Sequence, residues 1–484
     1  MTTKPVFTIV PAEKPKLVAV DLAAPPAFKA EIASVGDSSA ATASSIDAVA
    51  PVVPYVDHRP DGLSTKATLI NFLNGMIGPG CLSLPLGFQQ GGLVGGAILV
   101  VVLGFLNNYC MLQLCECSQH LARRKGRVLD YGNVAYEACA NSFKGFRRYK
   151  HVLKFMCNGS IVALQVGICS VLCVFILEHV RQIVEEHSGF RASTATWNCI
   201  LLAPLLAINV IRTLRTLVGF SSFGNVVMLI ALVYIVQYLI RQAHDLSHLP
   251  LFTSLDGFLV ASCTVLYSFE GQALILPMEN KIRSPRKMLG PFGVLSQGML
   301  IVTLLYVLLG LLGYSTYGEK VQGSISLNLP DTMETTVLKA IFVVTVYSGF
   351  GLQQYVIVDM TWPFLREKLG LETTVWWKSY SSEAVFRTCL LLFELMISIV
   401  VPTLDELIPF VGATVGMLLA LAFPAIIHSL TFAPEWAAES RPDRWNWRLI
   451  GGLSRNGALL LVGLICGGAG LRFNITEIIQ RHVA

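Results

Sequence analysis

INFLNGMIGPGCLSLPLGFQQGG, residues 70–92, is apolar enough to enter a membrane, yet it places Gly75, Gly78, Pro79, Gly80 and Pro85 where a membrane helix would have its middle. Proline lacks the amide that the helix ladder needs and clashes with the preceding turn, and glycine tolerates dihedrals that other residues avoid. The segment is therefore predicted to unwind and to release backbone groups near Met76, Ile77, Gly78 and Gly80. Hydrocarbon offers those groups no partner, so irregular backbone survives there only when it is buried in protein or lines a cavity. Taken alone, the stretch is read equally well as a kinked helix or as a binding site.

A second stretch changes that balance. LVASCTVLYSFEGQALILPMEN, residues 259–280, carries Ser268-Phe269-Glu270-Gly271 at mid-span and Pro277 one to two turns later. Hydrophobic stretches long enough to cross a hydrocarbon layer of about 30 Å recur from Thr65 onward. Eleven are predicted: 65–88, 93–116, 151–180, 196–212, 217–241, 255–279, 293–316, 336–363, 384–402, 407–432 and 449–471, the fourth being the shortest. The interrupted spans are the first and the sixth, the same position in two successive sets of five. That is what an inverted five-plus-five repeat with its binding site at the repeat interface produces. The correspondence is positional and not one of sequence self-similarity.

Composition agrees with the hydropathy. Of 484 residues, 54 % are hydrophobic and 14 % charged, and the mean hydropathy is +0.61, too apolar for ordinary soluble domains. Residues 1–62 are rich in Ala, Pro, Ser and Asp without periodicity and are expected to form a disordered tail. With no basic start followed by an apolar run, the first span is expected to be retained as the targeting signal. Residues 63–471 are read as the transmembrane domain and 472–484 as a short C-terminal tail.

The net charge of +5 comes from short loops, which argues for membrane topology over a nucleic-acid partner. Arg123, Arg124, Lys125 and Arg127 with Lys144, Arg147, Arg148 and Lys150 follow span 2; Arg212 and Arg215 follow span 4; Lys281, Arg283, Arg286 and Lys287 follow span 6. Arg366, Lys368 and Lys378 follow span 8, and Arg441, Arg444 and Arg448 follow span 10. The intervening loops hold only Arg181, Arg191, Arg241 and Lys320. The N-terminus is therefore expected in the cytoplasm and the C-terminus outside or in a lumen. There Asn474-Ile475-Thr476 is a candidate glycosylation acceptor, whereas Asn158-Gly159-Ser160 has the same pattern inside a span. The twelve cysteines lack metal-ligand spacing and read as small packing residues.

With YSFEGQALILPMENKIRSPRKM (267–288) and LLGYSTYGEKVQGSISLNLP (311–330), the opening stretch resembles the proton-coupled amino acid transporter branch of the amino acid/auxin permease family, over about Lys66–Thr431. The resemblance implies the eleven-helix amino-acid-permease fold of LeuT type, with five-plus-five inverted repeats, broken helices 1 and 6, and alternating access. Two features depart from it. Relatives similar to the mammalian proteins carry a span 1 histidine, thought to take part in proton coupling, where this chain has Asn71. They also carry a cysteine just after LNLP that pairs with one before span 4; here Asp331-Thr332-Met333 follows, which leaves Cys199 without an evident partner.

An amino acid presents a carboxylate and an ammonium group. Amides around Ile77, Gly78 and Gly80, at the electropositive start of a half-helix, suit the carboxylate. Carbonyls around Tyr267, Ser268 and Phe269 suit the ammonium. Glu270 is an intramembrane carboxylate, hence a functional candidate by default. Three roles stay open for it: a structural acid tied to freed amides of span 1, a proton carrier, or an amine contact. Asn158 and Gln165 share one face of span 3, and Tyr347 and Gln354 one face of span 8, with Ser348, Tyr355 and Asp359 on an adjacent face. These either bind substrate or ion or join helices to one another. Glu394 either pairs with Arg387 or faces a neighbouring helix.

No HExxH, Walker loop, catalytic-serine motif or metal set is present in the sequence, so an enzyme, a pump and a cofactor-bearing protein are disfavoured. The expected function is secondary transport of small neutral amino acids, coupled to protons or another ion. A facilitator, an exchanger or a nutrient sensor with the same pocket is the alternative. The membrane is either plasma or lysosomal/endosomal.

Overall fold

The computed structural model describes residues 55–244, 246–370, 376–438 and 446–483, and every described regular element is helical. Ser64 caps α1 (Thr65–Met76), accepting from the Ala67 amide. After Gly78 the chain enters a 3-10 turn, Pro79–Ser83, and then α2 (Leu84–Gly91). There follow α3 (Leu93–Lys125), α4 (Tyr131–Ala140), α5 (Lys144–Arg147), α6 (Lys150–Ser188), α7 (Thr194–Asn209) and α8 (Leu214–Ile240). The second interrupted region comprises α9 (Leu255–Ser268) and α10 (Gln272–Lys281), and is succeeded by α11 (Val294–Tyr317), α12 (Met333–Lys368) and α13 (Trp376–Val400). Next come α14 (Leu404–Val411), two wide π turns (Gly412–Gly416 and Leu418–Ala422), α15 (Phe423–Ala438) and α16 (Trp447–Val483).

Eight helical stretches among the described residues are long and apolar enough to cross a membrane, and the pair Thr65–Met76 and Pro79–Gly91, bent by 50°, makes a ninth. The two other expected spans fall short for identifiable reasons. Helix α7 has only 16 residues, with Pro204 inside it, and α13 carries Lys378, Glu383, Arg387 and Glu394. Arg387 is bonded to Glu383 (2.8 Å) and to the Asn209 carbonyl of α7 (3.2 Å), and the Asn209 amide donates back to the Arg387 carbonyl (2.9 Å). Large apolar side chains stand exposed around the outside, among them Phe105 of α3, Ile230 and Val233 of α8, Leu304 of α11 and Leu461 of α16. Such a surface suits lipid, not water. The chain is an all-helical, multi-pass integral membrane protein.

Helix α9 runs through the middle, packed on α2, α14 and α16, while α12 lies along α6 and α8. A side chain at Gly412 would place its Cβ 2.2 Å from the Cys263 carbonyl oxygen, so glycine permits the first π turn to lie directly on α9.

Two regions differ from the expected boundaries. Residues 1–54 of the expected tail lie outside the described residues, but 55–62 are docked: the Arg59 side chain donates to the Glu279 carbonyl (2.7 Å), and Leu63 bridges Ile282. Helix α16 continues through Val483, where a tail from 472 was expected. At the end of α6 opposite its basic start, Cys199 is exposed and unpaired. Asp331 there contacts Lys339 of α12 (3.1 Å), which also lies 3.8 Å from Glu186 of α6. His Nε2 of residue 179 meets Ser326 Oγ at 2.7 Å, so polar contacts tie the LNLP loop to α6.

Candidate functional site

The first break is a short piece of extended chain. Ile77 leaves helical geometry at φ −85°, ψ 85°, and Gly78 lies at φ −119°, ψ −170°, the conformation favoured before a proline. The second break spans Phe269–Gly271, with Gly271 at φ −171°. The breaks face each other. A Cβ on Gly271 would lie 2.2 Å from Met76 Sδ, and one on Gly80 would lie 3.3 Å from the Tyr267 ring.

Side chains stitch the breaks together. The Tyr306 hydroxyl of α11 is shared between the Met76 carbonyl (2.7 Å) and the Ser268 carbonyl (2.9 Å). Ser268 and Ser83 both donate to the Gly80 carbonyl, at 2.9 and 2.7 Å. Asn107 of α3 donates to the Phe269 carbonyl (3.0 Å) and accepts from Gln272 (2.6 Å). The carbonyls expected to serve an ammonium group therefore already hold protein donors. The Met76 carbonyl also accepts from the Gly78 amide (3.1 Å), so both of its lone pairs are engaged. Tyr306, Asn107, Gln272 and Ser83 were not singled out from the sequence. Their signal was available as polar groups inside apolar spans, but Tyr306, Asn107 and Gln272 find their partners on other helices. Tyr306→Phe keeps the ring packed and removes both bonds, and is expected to cost about 1 to 2 kcal/mol of stability. It should lower uptake per folded molecule further, as read by thermal melting alongside transport.

Gly78, Pro79 and Gly80 are half-buried, while Met76, Ile77, Tyr267, Ser268 and Phe269 are buried around them. A Cβ added to Gly78 meets no atom within 4 Å, so open space adjoins the first break. Glu270 lies within the second break. Its Oε1 is buried without a hydrogen-bond partner, and the carboxylate faces the backbone amide of Gln272 in its own span, not an amide of span 1.

The remaining candidates lie elsewhere. Asn158 packs on α4, with its side chain 2.3 Å from where a Gly132 Cβ would stand. Tyr347 donates to the Pro204 carbonyl of α7 (2.6 Å) and joins those two helices. Gln165 is buried with Oε1 unpartnered, as are both polar atoms of Gln354 and the Asn71 Oδ1. Glu394 is buried against Cys169 of α6 and not paired with Arg387. Asn474 is only 1 % exposed and donates to the Gly470 carbonyl (2.8 Å), a burial that hides the expected glycan acceptor.

Two helix breaks are thus pinned face to face within a multi-pass bundle. The family described as "Transmembrane amino acid transporter protein" matches residues 61–452, and this chain belongs to it. It is similar to "Probable amino acid transporter skat-1" of Caenorhabditis elegans, 31 % identical over 383 residues, which are 78 % of this chain and 82 % of the relative. It is also similar to "Proton-coupled amino acid transporter-like protein pathetic" of Drosophila melanogaster, 29 % identical over 434 residues, which are 88 % of this chain and 87 % of that protein.

Proposed function

We propose that this protein is a secondary transporter of small neutral amino acids that works by alternating access and is driven by protons. The observation that carries the reading is the open space beside Gly78 at the first break, next to carbonyls of both breaks that the Tyr306 hydroxyl holds together. The printed name of the Drosophila relative supports the proton.

The expected release of the Ile77 and Gly78 amides is not seen, since they donate to the Leu73 and Met76 carbonyls (2.8 and 3.1 Å); in this reading the carboxylate therefore meets the chain around Gly80, and the ammonium meets the carbonyls of Tyr267, Ser268 and Phe269. Glu270 exchanges the proton, and Gln165 contributes a free acceptor. The architecture is an eleven-span, five-plus-five repeat in which α7 and α13 complete the count, since their contacts with each other and with α12 need no water. Loop arginines and lysines support a cytoplasmic N-terminus, in a plasma or lysosomal/endosomal membrane.

One observation favours a second reading, an uncoupled facilitator, exchanger or sensor: Asn71 stands where the resemblance to the proton-coupled branch implies a histidine, and an amide does not titrate. Proteoliposomes carrying an internal pH dye separate the two. Gly, Ala, Pro and Ser are expected to enter together with acid, and larger amino acids to enter poorly. Uptake without acidification makes the protein a facilitator or exchanger, and binding without uptake makes it a sensor.

A further inference from the structure

The turn of α5 and the first residues of α6, outside both breaks, form a basic corner packed on α4. No acidic residue occurs between Glu137 and Glu178, whereas the same stretch holds Lys144, Arg147, Arg148, Lys150 and Lys154. We propose that this corner binds the head groups of anionic phospholipids, their phosphates meeting Lys144, Arg147 and Arg148.

The partners that these cations have are neutral. Arg147 Nε donates to the Ser142 carbonyl (2.9 Å), the Arg148 guanidinium lies 4.6 Å from the centre of the Tyr149 ring, and the Lys150 ammonium lies 5.1 Å from that of Tyr136. Among the described residues none of the five is in an ion pair, because the acids on either side are engaged or distant. Glu137, in α4, is held by Lys125 (3.0 Å) and Arg127 (3.9 Å), and Asp130 caps the opposite end of that helix. Glu178 lies about 40 Å beyond Lys150 along the axis of α6.

Other basic segments bring their own counter-charges. Arg123 and Arg286 meet Asp57 (3.1 and 3.5 Å), Arg124 meets Glu435 (3.3 Å), and Arg212 meets Glu383 (3.2 Å). The α5 corner keeps its positive charge, with Lys144, Arg147 and Arg148 all exposed on one short turn.

The side chains between the cations point to a lipid as the anion. Phe143, Phe146 and Tyr149 are exposed there, and Val152, Phe155 and Met156 continue an exposed apolar face along α6, Phe155 being 75 % exposed. Such a surface suits hydrocarbon, aromatic rings gather at head-group level, and long cationic stems reach from the apolar layer to the phosphates. A cluster of Lys and Arg beside a membrane span attracts anionic lipid, with a preference of about fivefold for each engaged cation. A soluble polyanion or an acidic peptide would use the charge and leave the apolar side chains uncovered.

The test is photolabelling of the purified full chain in lipid nanodiscs, using phosphatidylserine or phosphatidylcholine at equal mole fraction, each with a photoreactive group near the glycerol, and mass spectrometry of the labelled peptides. Labelling of residues 143–156 by phosphatidylserine is expected to exceed that by phosphatidylcholine by about fivefold to twenty-fivefold, the preference for one to two engaged cations. In about 1 M salt, where the screening length is about 3 Å, the ratio should fall towards one. The triple variant Lys144→Gln/Arg147→Gln/Arg148→Gln should likewise bring it near one, whereas Arg366→Gln/Lys368→Gln, a pair that flanks Glu367 at the end of α12, should leave it unchanged. A ratio near one on the wild-type protein at low salt overturns the proposal without recourse to any variant. A wild-type ratio retained in the folded triple variant, or in 1 M salt, overturns it equally.

Discussion

Gly78→Val is expected to abolish amino acid uptake while leaving the amount of folded protein in the membrane unchanged. Position 78 has φ −119° and ψ −170°, an extended conformation that valine adopts readily and that a residue before proline prefers. No atom lies within 4 Å of the site of a Cβ there, so packing does not demand glycine either. The remaining demand is for the space itself. Filling a site shaped for a ligand costs about 1 to 3 kcal/mol of strain, which corresponds to between about fivefold and about 150-fold in affinity. Radiolabelled uptake, normalised to surface protein, measures the effect. Wild-type uptake in this variant would remove the first break from the substrate site. Gly271→Ala makes the informative contrast: Met76 Sδ occupies the space of its Cβ, so that variant should lose folded protein as well as uptake.

The breaks were legible in the sequence because their cause is local. Proline at 79 and glycine at 78 and 271 set the backbone wherever the helix happens to lie. What holds the breaks was not legible to the same degree. Tyr306 and Asn107 act on carbonyls 230 and 162 residues away in the chain, and only the rotation of α11 and α3 about their axes brings them there. Helical periodicity groups Asn158 and Tyr347 on faces, but it does not say toward which neighbour those faces turn. Both face other helices, α4 and α7, at a distance in the sequence that no face pattern encodes. The same limit applies to α13. Its charges lower the hydropathy that would mark a span, yet Arg387 is satisfied by Glu383 and by the end of α7.

The Asn474 acceptor motif shows the opposite failure, a local signal overruled by tertiary context. The motif is intact, but α16 carries it onto a buried face. Hydropathy ended that helix near 471, whereas the polar residues after it continue the same helical repeat.

Glu270→Gln is expected to keep substrate binding and exchange and to lose uptake driven by a proton gradient. Asn71 cannot titrate, and Glu270 is the carboxyl placed beside the break of α9 and α10, with one buried oxygen lacking a donor and, among the described residues, no cation paired with it. Ionised side chains at the centre of a membrane helix cost about 3 kcal/mol, a bias of roughly 150-fold against a charged carboxylate in a closed, dry intermediate. The protonated form crosses that intermediate without the penalty, while the charged form holds the protein in a hydrated, open state. Proton binding then shifts the equilibrium between states by the difference in cost. Wild-type uptake should therefore rise as the substrate-side solution is acidified, and uptake by the glutamine variant should be flat with pH while counterflow exchange persists. A substrate-coupled proton current retained in Glu270→Gln assigns the proton to another group. Wild-type uptake that ignores both pH and sodium removes ion coupling altogether and makes the protein an exchanger or facilitator.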